Sequence, residues 1–126
     1  MFERTGWHSI CVHTHTVEDA DDAHVEEAVR VLKLLAEPTR LRVVRALLHG
    51  EHSVGELAEH LGVRQAAVSQ HLAKLRWAGL VTSRRDGNRI YYRTVDDHVE
   101  RLVAEAFGHA FHVRPIAESR TSKRSA

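Results

Sequence analysis

A small residue, a glycine four positions on and a buried-type aliphatic six beyond that constrain this chain more than any other feature. Ala58, Gly62 and Val68 stand at those spacings. The small side chain lets two helices approach, the glycine makes the tight turn between them, and the valine packs the second helix back on the first. Before the turn, Ser53 and Glu56 form a Ser-x-x-Glu capping box that starts a short helix at Val54. After it, Ala67, Val68, His71, Leu72 and Leu75 recur at helical spacing between Val63 and Ala78, with Gly79 as the stop. The pair reads as a helix-turn-helix.

The segment that follows supports this. Val81 to Arg85 and Arg89 to Arg93 are strand-like runs separated by Asp86-Gly87-Asn88, and Asp-Gly between such runs is a strong hairpin signal. The hairpin carries Arg84, Arg85, Arg89 and Arg93, a density that favours solvent or phosphate. A helix-turn-helix followed at once by a basic hairpin is a winged helix. Upstream, Val25, Ala28, Val29, Leu32, Leu35 and Ala36 mark a helix from about His24 that Pro38 stops. Thr39 is placed to cap the next helix, whose face is Leu41, Val44, Leu47 and Leu48. The expected fold class is therefore mainly α with a small β-hairpin, a winged helix-turn-helix dimerised through its N- and C-terminal helices.

At 126 residues and 43% apolar composition the chain has material for one core. The formal charge of +1 conceals a division. Residues 1–30 hold two basic and seven acidic side chains, net −5, whereas residues 62–93 hold seven basic and one acidic, net +6. A local basic surface on the winged segment suits a polyanion. Cys11 is the one cysteine, so no disulfide framework exists, and no apolar run approaches the length of a membrane span. A cytoplasmic protein without a membrane partner is expected. No enzyme and no small-molecule substrate are expected either, because Cys11 lacks a nucleophile-elbow or phosphate-loop context.

The last helical segment, Asp96 to His112, places Val99, Leu102, Val103, Ala106, Ala110 and Phe111 at spacings of three and four. Asp96 and His98 stand at its start and His109 and His112 at its end, all residue types that bind borderline transition metals. Eleven residues separate His98 from His109, so their rings share a face but lie roughly 16 Å apart along the axis. One ion held at about 2.0 to 2.1 Å by each nitrogen cannot bridge that gap. Antiparallel packing against a second copy would bring Asp96 and His98 beside His109 and His112 of the partner, and twofold symmetry would make two such sites. Asp96 is also suited to capping the helix.

Residues 1–22 read as a flexible, His-containing arm, 23–113 as the winged-helix and dimerisation domain, and 114–126 as a disordered basic tail, with Arg114-Pro115 ending the last helix. His13 and His15 alternate and share one side of an extended segment. The arm is either solvated with incidental histidines or a source of further ligands, Cys11 and His8 among them.

With these elements in place, the chain resembles the ArsR/SmtB family of bacterial metal-sensing repressors over about residues 25–112. The resemblance is carried by Leu-Ala-Glu-Pro-Thr-Arg-Leu-Arg-Val-Val at 34–43, Ser-Val-Gly-Glu-Leu-Ala at 53–58, Val-Ser-Gln-His-Leu-Ala-Lys-Leu-Arg at 68–76 and Arg-Asp-Gly-Asn-Arg-Ile-Tyr-Tyr at 85–92. It implies a homodimer on double-stranded operator DNA. It also implies a metal site in which an Asp-x-His near the start of the last helix joins a His-x-x-His eleven residues later, matched by Asp96, His98, His109 and His112. The family's thiolate site is not expected, because Val54 to Glu59 holds no cysteine, and Cys11 alone cannot form the cysteine pair of its redox sensors. One carboxylate and three imidazoles suit tetrahedral zinc, or six-coordinate nickel or cobalt if the arm contributes.

For DNA, the candidates are Arg64, Gln65, Ser69, Gln70, His71 and Lys74 on or beside the recognition helix, with Arg84, Arg85 and Arg89 on the wing. His71 lies on the apolar stripe and is also a packing residue. The expected function is a metal-responsive repressor whose metal-free dimer binds an inverted repeat and whose metal-bound form binds it less well. The alternatives are a repressor of the same fold answering to a non-metal signal, and a His-rich metal-binding or interaction module without DNA.

Overall fold

The computed structural model describes residues 21–125, with side chains described from Asp21 to Val113. The candidate ligands His13 and His15, with His8 and Cys11, lie outside the described residues. Eight elements follow in order: α1 (Asp22–Leu35), α2 (Pro38–Leu47), β1 (His52–Ser53), α3 (Val54–Leu61), α4 (Gln65–Trp77), β2 (Val81–Asp86), β3 (Arg89–Thr94) and α5 (Asp97–Ser125). The chain divides into two compact units, Met1–Leu34 and Leu35–Ala126.

In the first unit, α1 begins where the Asp21 carboxylate accepts the His24 amide at 3.1 Å. Its apolar stripe is open to solvent: Val25, Val29 and Leu32 are 41–54% exposed. On the opposite side Glu27 and Arg30 pair, one turn apart, an arrangement worth little in open solvent.

The second unit is built on one apolar core. Val43, Val44 and Leu47 of α2, Leu57 of α3, Val68, Leu72 and Leu75 of α4, Leu80, Val81, and Val99 and Val103 of α5 are all buried. The capping box expected at Ser53 and Glu56 is present in both directions, the Ser53 hydroxyl accepting the Glu56 amide and the Glu56 carboxylate accepting the Ser53 amide. Gly62 ends α3 in the left-handed conformation, φ +68°, which an L side chain adopts at a cost. Ala58 and Val68 are buried on either side of that turn, as a helix-turn-helix requires. At the end of α4 the Leu80 amide returns to the Leu75 carbonyl and the Gly79 amide to that of Arg76, so two helix-end carbonyls are satisfied and the buried Leu75 and Leu80 are brought together.

Three details depart from the local expectation. Glu37, rather than Thr39, is the N-cap of α2, its carboxylate accepting the Arg40 amide at 2.7 Å. Pro38 then occupies the first helical position, where its missing N–H has no bond to lose and its φ is already helical. Beyond the hairpin, the sheet has a third strand: β1 pairs antiparallel with β3, His52 opposite Tyr92 and Ser53 opposite Tyr91, giving the order β1-β3-β2. Finally, Arg114-Pro115 does not end the last helix, whose backbone runs to Ser125. The proline forfeits one amide bond, that to the Phe111 carbonyl, and intact turns on both sides carry the helix past it.

The hairpin closes in a two-residue loop, because Asp86 pairs with Arg89 and leaves Gly87-Asn88 between them. Gly87 has φ +66° and Asn88 does not have positive φ, the pattern of a loop with glycine at its first central position. Among the described residues no helix is long and apolar enough to cross a membrane.

Candidate functional site

The buried stripe of α4, Val68, Leu72 and Leu75, fixes which side of this helix can meet a ligand. Gln65, Ser69, Gln70 and Lys74 are exposed, as is Arg64 at the N-cap, whose side chain makes no cap bond. Together they form a polar and basic surface at the start and outer side of the second helix of a helix-turn-helix. This is the position from which side chains reach base edges in a major groove. His71 stands apart from them. Its side chain is only 19% exposed, and its ring nitrogens face α2: Nδ1 lies 3.4 Å from Nη1 of Arg40, and Nε2 lies 4.0 Å from Oε1 of Glu37.

The wing divides in a similar way. Arg84 is tied to Glu51, its Nε donating to both carboxylate oxygens at 3.0 Å, and its guanidinium lies 5.0 Å from the centre of the Tyr91 ring. The hydrogen bond from Arg84 holds the Glu51 carboxyl below the usual carboxylate range and raises Arg84 in return. Arg84, opposite Tyr91 in the middle of the hairpin, therefore braces it against the loop before β1. Arg85 and Arg89, next to the Gly87-Asn88 loop, are exposed and form no ion pair among the described residues.

All four described metal candidates lie on or at the start of α5. Asp96 is its N-cap, Oδ1 accepting the Val99 amide at 3.2 Å, which uses one of the two carboxylate oxygens. His98, His109 and His112 are exposed, and Nδ1 of His98 lies 3.5 Å from Nη2 of Arg101. Because α5 is one continuous helix through these positions, the two ends of the set stay roughly 16 Å apart along its axis. Among the described residues, no three His, Cys, Asp or Glu side chains gather within the chain as a metal-binding group.

Of the apolar residues of α5, Val99 and Val103 are buried, while Leu102, Phe111 and Val113 are 39–54% exposed. The half of α5 bearing His109 and His112 is held to the core unit by Arg45 of α2. Its guanidinium lies 4.2 Å from the Phe107 ring centre and 5.5 Å from that of Phe111. Sequence periodicity gave no notice of this contact, since Arg45 reads as one of several polar positions on α2.

The sequence profile of the arsR family of bacterial regulatory proteins matches residues 37–83, which span α2 to the first half of β2. The transcriptional regulator KmtR of Mycobacterium tuberculosis is 48% identical over 94 residues, covering 75% of this chain and 72% of that protein. The "probable mercury resistance operon repressor" of Streptomyces lividans is 40% identical over 80 residues, covering 64% of each. Among solved structures, the homodimeric winged helix-turn-helix DNA-binding domain of an ArsR-type regulator from Mycobacterium bovis superposes with a TM-score of 0.65 at 35% identity, covering 72% of this chain and 87% of that one.

Proposed function

The chain belongs to the arsR family of bacterial regulatory proteins, and from that premise we propose that it is a homodimeric repressor released from its operator by a divalent transition metal. As a transcriptional regulator with a winged helix-turn-helix, it is not an enzyme. The observation that carries the metal reading is the disposition of α5. An Asp-x-His and a His-x-x-His stand exposed on one continuous helix, too far apart to share an ion within a chain. The same helix exposes Leu102, Phe111 and Val113, and α1 exposes Val25, Val29 and Leu32. A second copy, packed antiparallel on α5, answers both facts at once: it covers apolar surface and brings Asp96 and His98 to His109 and His112 of the other subunit.

The donor set fits the ion. One carboxylate oxygen of Asp96 serves the helix cap, leaving the other for ligation, and three imidazoles complete a set suited to zinc, nickel or cobalt. When bound, the ion supplies coordination bonds between subunits. The protein's own part is to carry that constraint to the DNA surface. α5 packs on α2, and α2 packs on α4, so a change in how the terminal helices meet displaces the recognition helices of the two subunits relative to each other. Gln65, Ser69 and Gln70 then read base edges, Arg64 and Lys74 join them or meet phosphate, and Arg85 and Arg89 meet phosphate or minor groove.

The test is titration of a duplex, selected by the wild-type protein from a randomised pool, with and without zinc, nickel or cobalt. The expected result is a 5- to 150-fold loss of affinity with the effector metal, about 1 to 3 kcal/mol of coupling. Equal affinity with every metal would remove the sensor reading and leave a repressor answering to another signal. No selection of DNA at all would favour a metal-binding module. On the wing, Arg85→Ala and Arg89→Ala should each weaken binding evenly across sequences and lower the slope of log affinity against log salt by about 1. A change at a single operator base instead would place that arginine on a base.

A further inference from the structure

His71 lies in the recognition helix, yet its ring turns inward. We propose that His71 is a positioning residue rather than a base contact, its ring gripped by Glu37 and Arg40 so that the recognition helix is held in one rotational setting against the start of α2. The inference rests on DNA binding by α4 and is independent of the metal reading.

The chemistry of the grip is specific. A guanidinium has donors and no acceptor. Nη1 of Arg40, 3.4 Å from Nδ1 of His71, therefore requires the Nδ1 lone pair. A ring that accepts there carries its proton on Nε2, the atom that faces Oε1 of Glu37 at 4.0 Å, an electrostatic contact longer than a hydrogen bond. That same Oε1 accepts the Arg40 amide at 2.7 Å as the N-cap of α2, so the oxygen is itself fixed by backbone. Both sides of the grip come from the first turn of α2, whose entry is set by Pro38.

Among the described residues, the rest of α4 has no such fastening. Val68, Leu72 and Leu75 set which face of α4 is buried, but burial of aliphatic surface is non-directional and leaves the fine rotational setting about the helix axis to polar contacts. Arg64 at the N-cap makes no side-chain cap bond. Among the described residues, directional contact falls to His71, whose Nδ1 meets the donor-only guanidinium of Arg40 while Nε2 faces the Glu37 carboxylate. Rotation of α4 would separate both pairs and swing Gln65, Ser69 and Gln70 away from their register.

The experiment measures the affinity of the metal-free protein for the selected duplex, and for a panel of single-base variants of it, as a function of salt. His71→Ala should lose about tenfold in affinity on every duplex of the panel, with the salt slope unchanged. His71→Gln, whose amide offers one acceptor and one donor, should recover most of that loss. In the double variant, Glu37→Gln, which keeps an oxygen for the Arg40 amide, should add less to His71→Ala than it costs alone, because part of its effect runs through the ring. Ring nitrogen-15 shifts of the full chain, above the histidine titration range, should show Nε2 protonated and Nδ1 bare. Unchanged affinity in His71→Ala, loss confined to one operator base, full additivity with Glu37→Gln, or the opposite tautomer would each overturn the proposal. Should His71→Ala fail to fold, the tautomer and the His71→Gln and Glu37→Gln titrations decide it alone: wild-type-like binding by His71→Gln with the Nε2–H tautomer upholds it, and a base-selective loss overturns it.

Discussion

Alanine at His98 or at His109 should abolish the metal-induced loss of operator affinity and leave metal-free binding within about twofold of wild type, since surface substitutions away from packed features cost little. Both rings are exposed on α5, and neither lies in the buried core that holds the recognition helix, so neither change disturbs apo binding through packing. In the proposed dimer each variant removes one imidazole from both symmetric sites. Of a set of four ligands, three with an open position remain, and metal affinity falls by 10-fold or more. The largest effect is therefore on coupling: a response of 5- to 150-fold should contract to about 1. Operator titration with the metal that wild type answers to is the measurement. If both variants still released DNA normally, the ligands would lie elsewhere, and the arm holding His13 and His15 would be the next place to substitute.

Leu72→Ala should destabilise the fold by about 2 to 5 kcal/mol, because a fully buried side chain is removed from the centre of the helix-turn-helix. Leu72 has no exposed surface and sits between Val68 and Leu75 on the one stripe that joins α4 to α2 and α3. Against a total stability of about 5 to 15 kcal/mol, such a loss is large. Denaturant unfolding at fixed protein concentration checks it, the concentration being held because the proposed dimerisation would add to apparent stability. Gln70→Ala, two residues away but exposed, should stay within about 0.5 kcal/mol while reducing operator affinity. A small effect at Leu72 would mean that α4 is seated by something other than its apolar stripe.

Much of the path from residues to fold is local and could be followed along the chain. The capping box at Ser53, the turn at Gly62, the stop at Gly79 and the Gly87-Asn88 loop each depend on a few neighbouring residues, and each stands where its local chemistry requires. The helix starting at Pro38 was legible too, though Thr39 was the more obvious cap. The better signal was the proline itself, which prefers the first helical position and so points to Glu37 one residue earlier. β1 could not be read this way. It is two residues long, and its pairing with Tyr91 and Tyr92 depends on where β3 has already been placed.

The candidate metal centre shows the same division. Spacing alone established that Asp96 and His98 cannot meet His109 and His112 on one helix, and the continuity of α5 keeps them apart. Within the proposed DNA surface, the spacing of Val68, Leu72 and Leu75 fixed which side of α4 is buried and which is left for a ligand, because helical periodicity is a property of the backbone. It did not fix the fate of side chains at the boundary. His71 finds Arg40 at a sequence separation of 31 and Arg84 finds Glu51 at 33, so their partners depend on how helices and sheet are packed. The turn at Gly62 and the helices it joins were thus determined by the sequence by itself. Tertiary packing alone decided that two residues read as DNA contacts, His71 and Arg84, have their polar atoms engaged within the protein. Hydrogen bonds and ion pairs act over a few ångströms, and only the packed fold brings such distant residues that close.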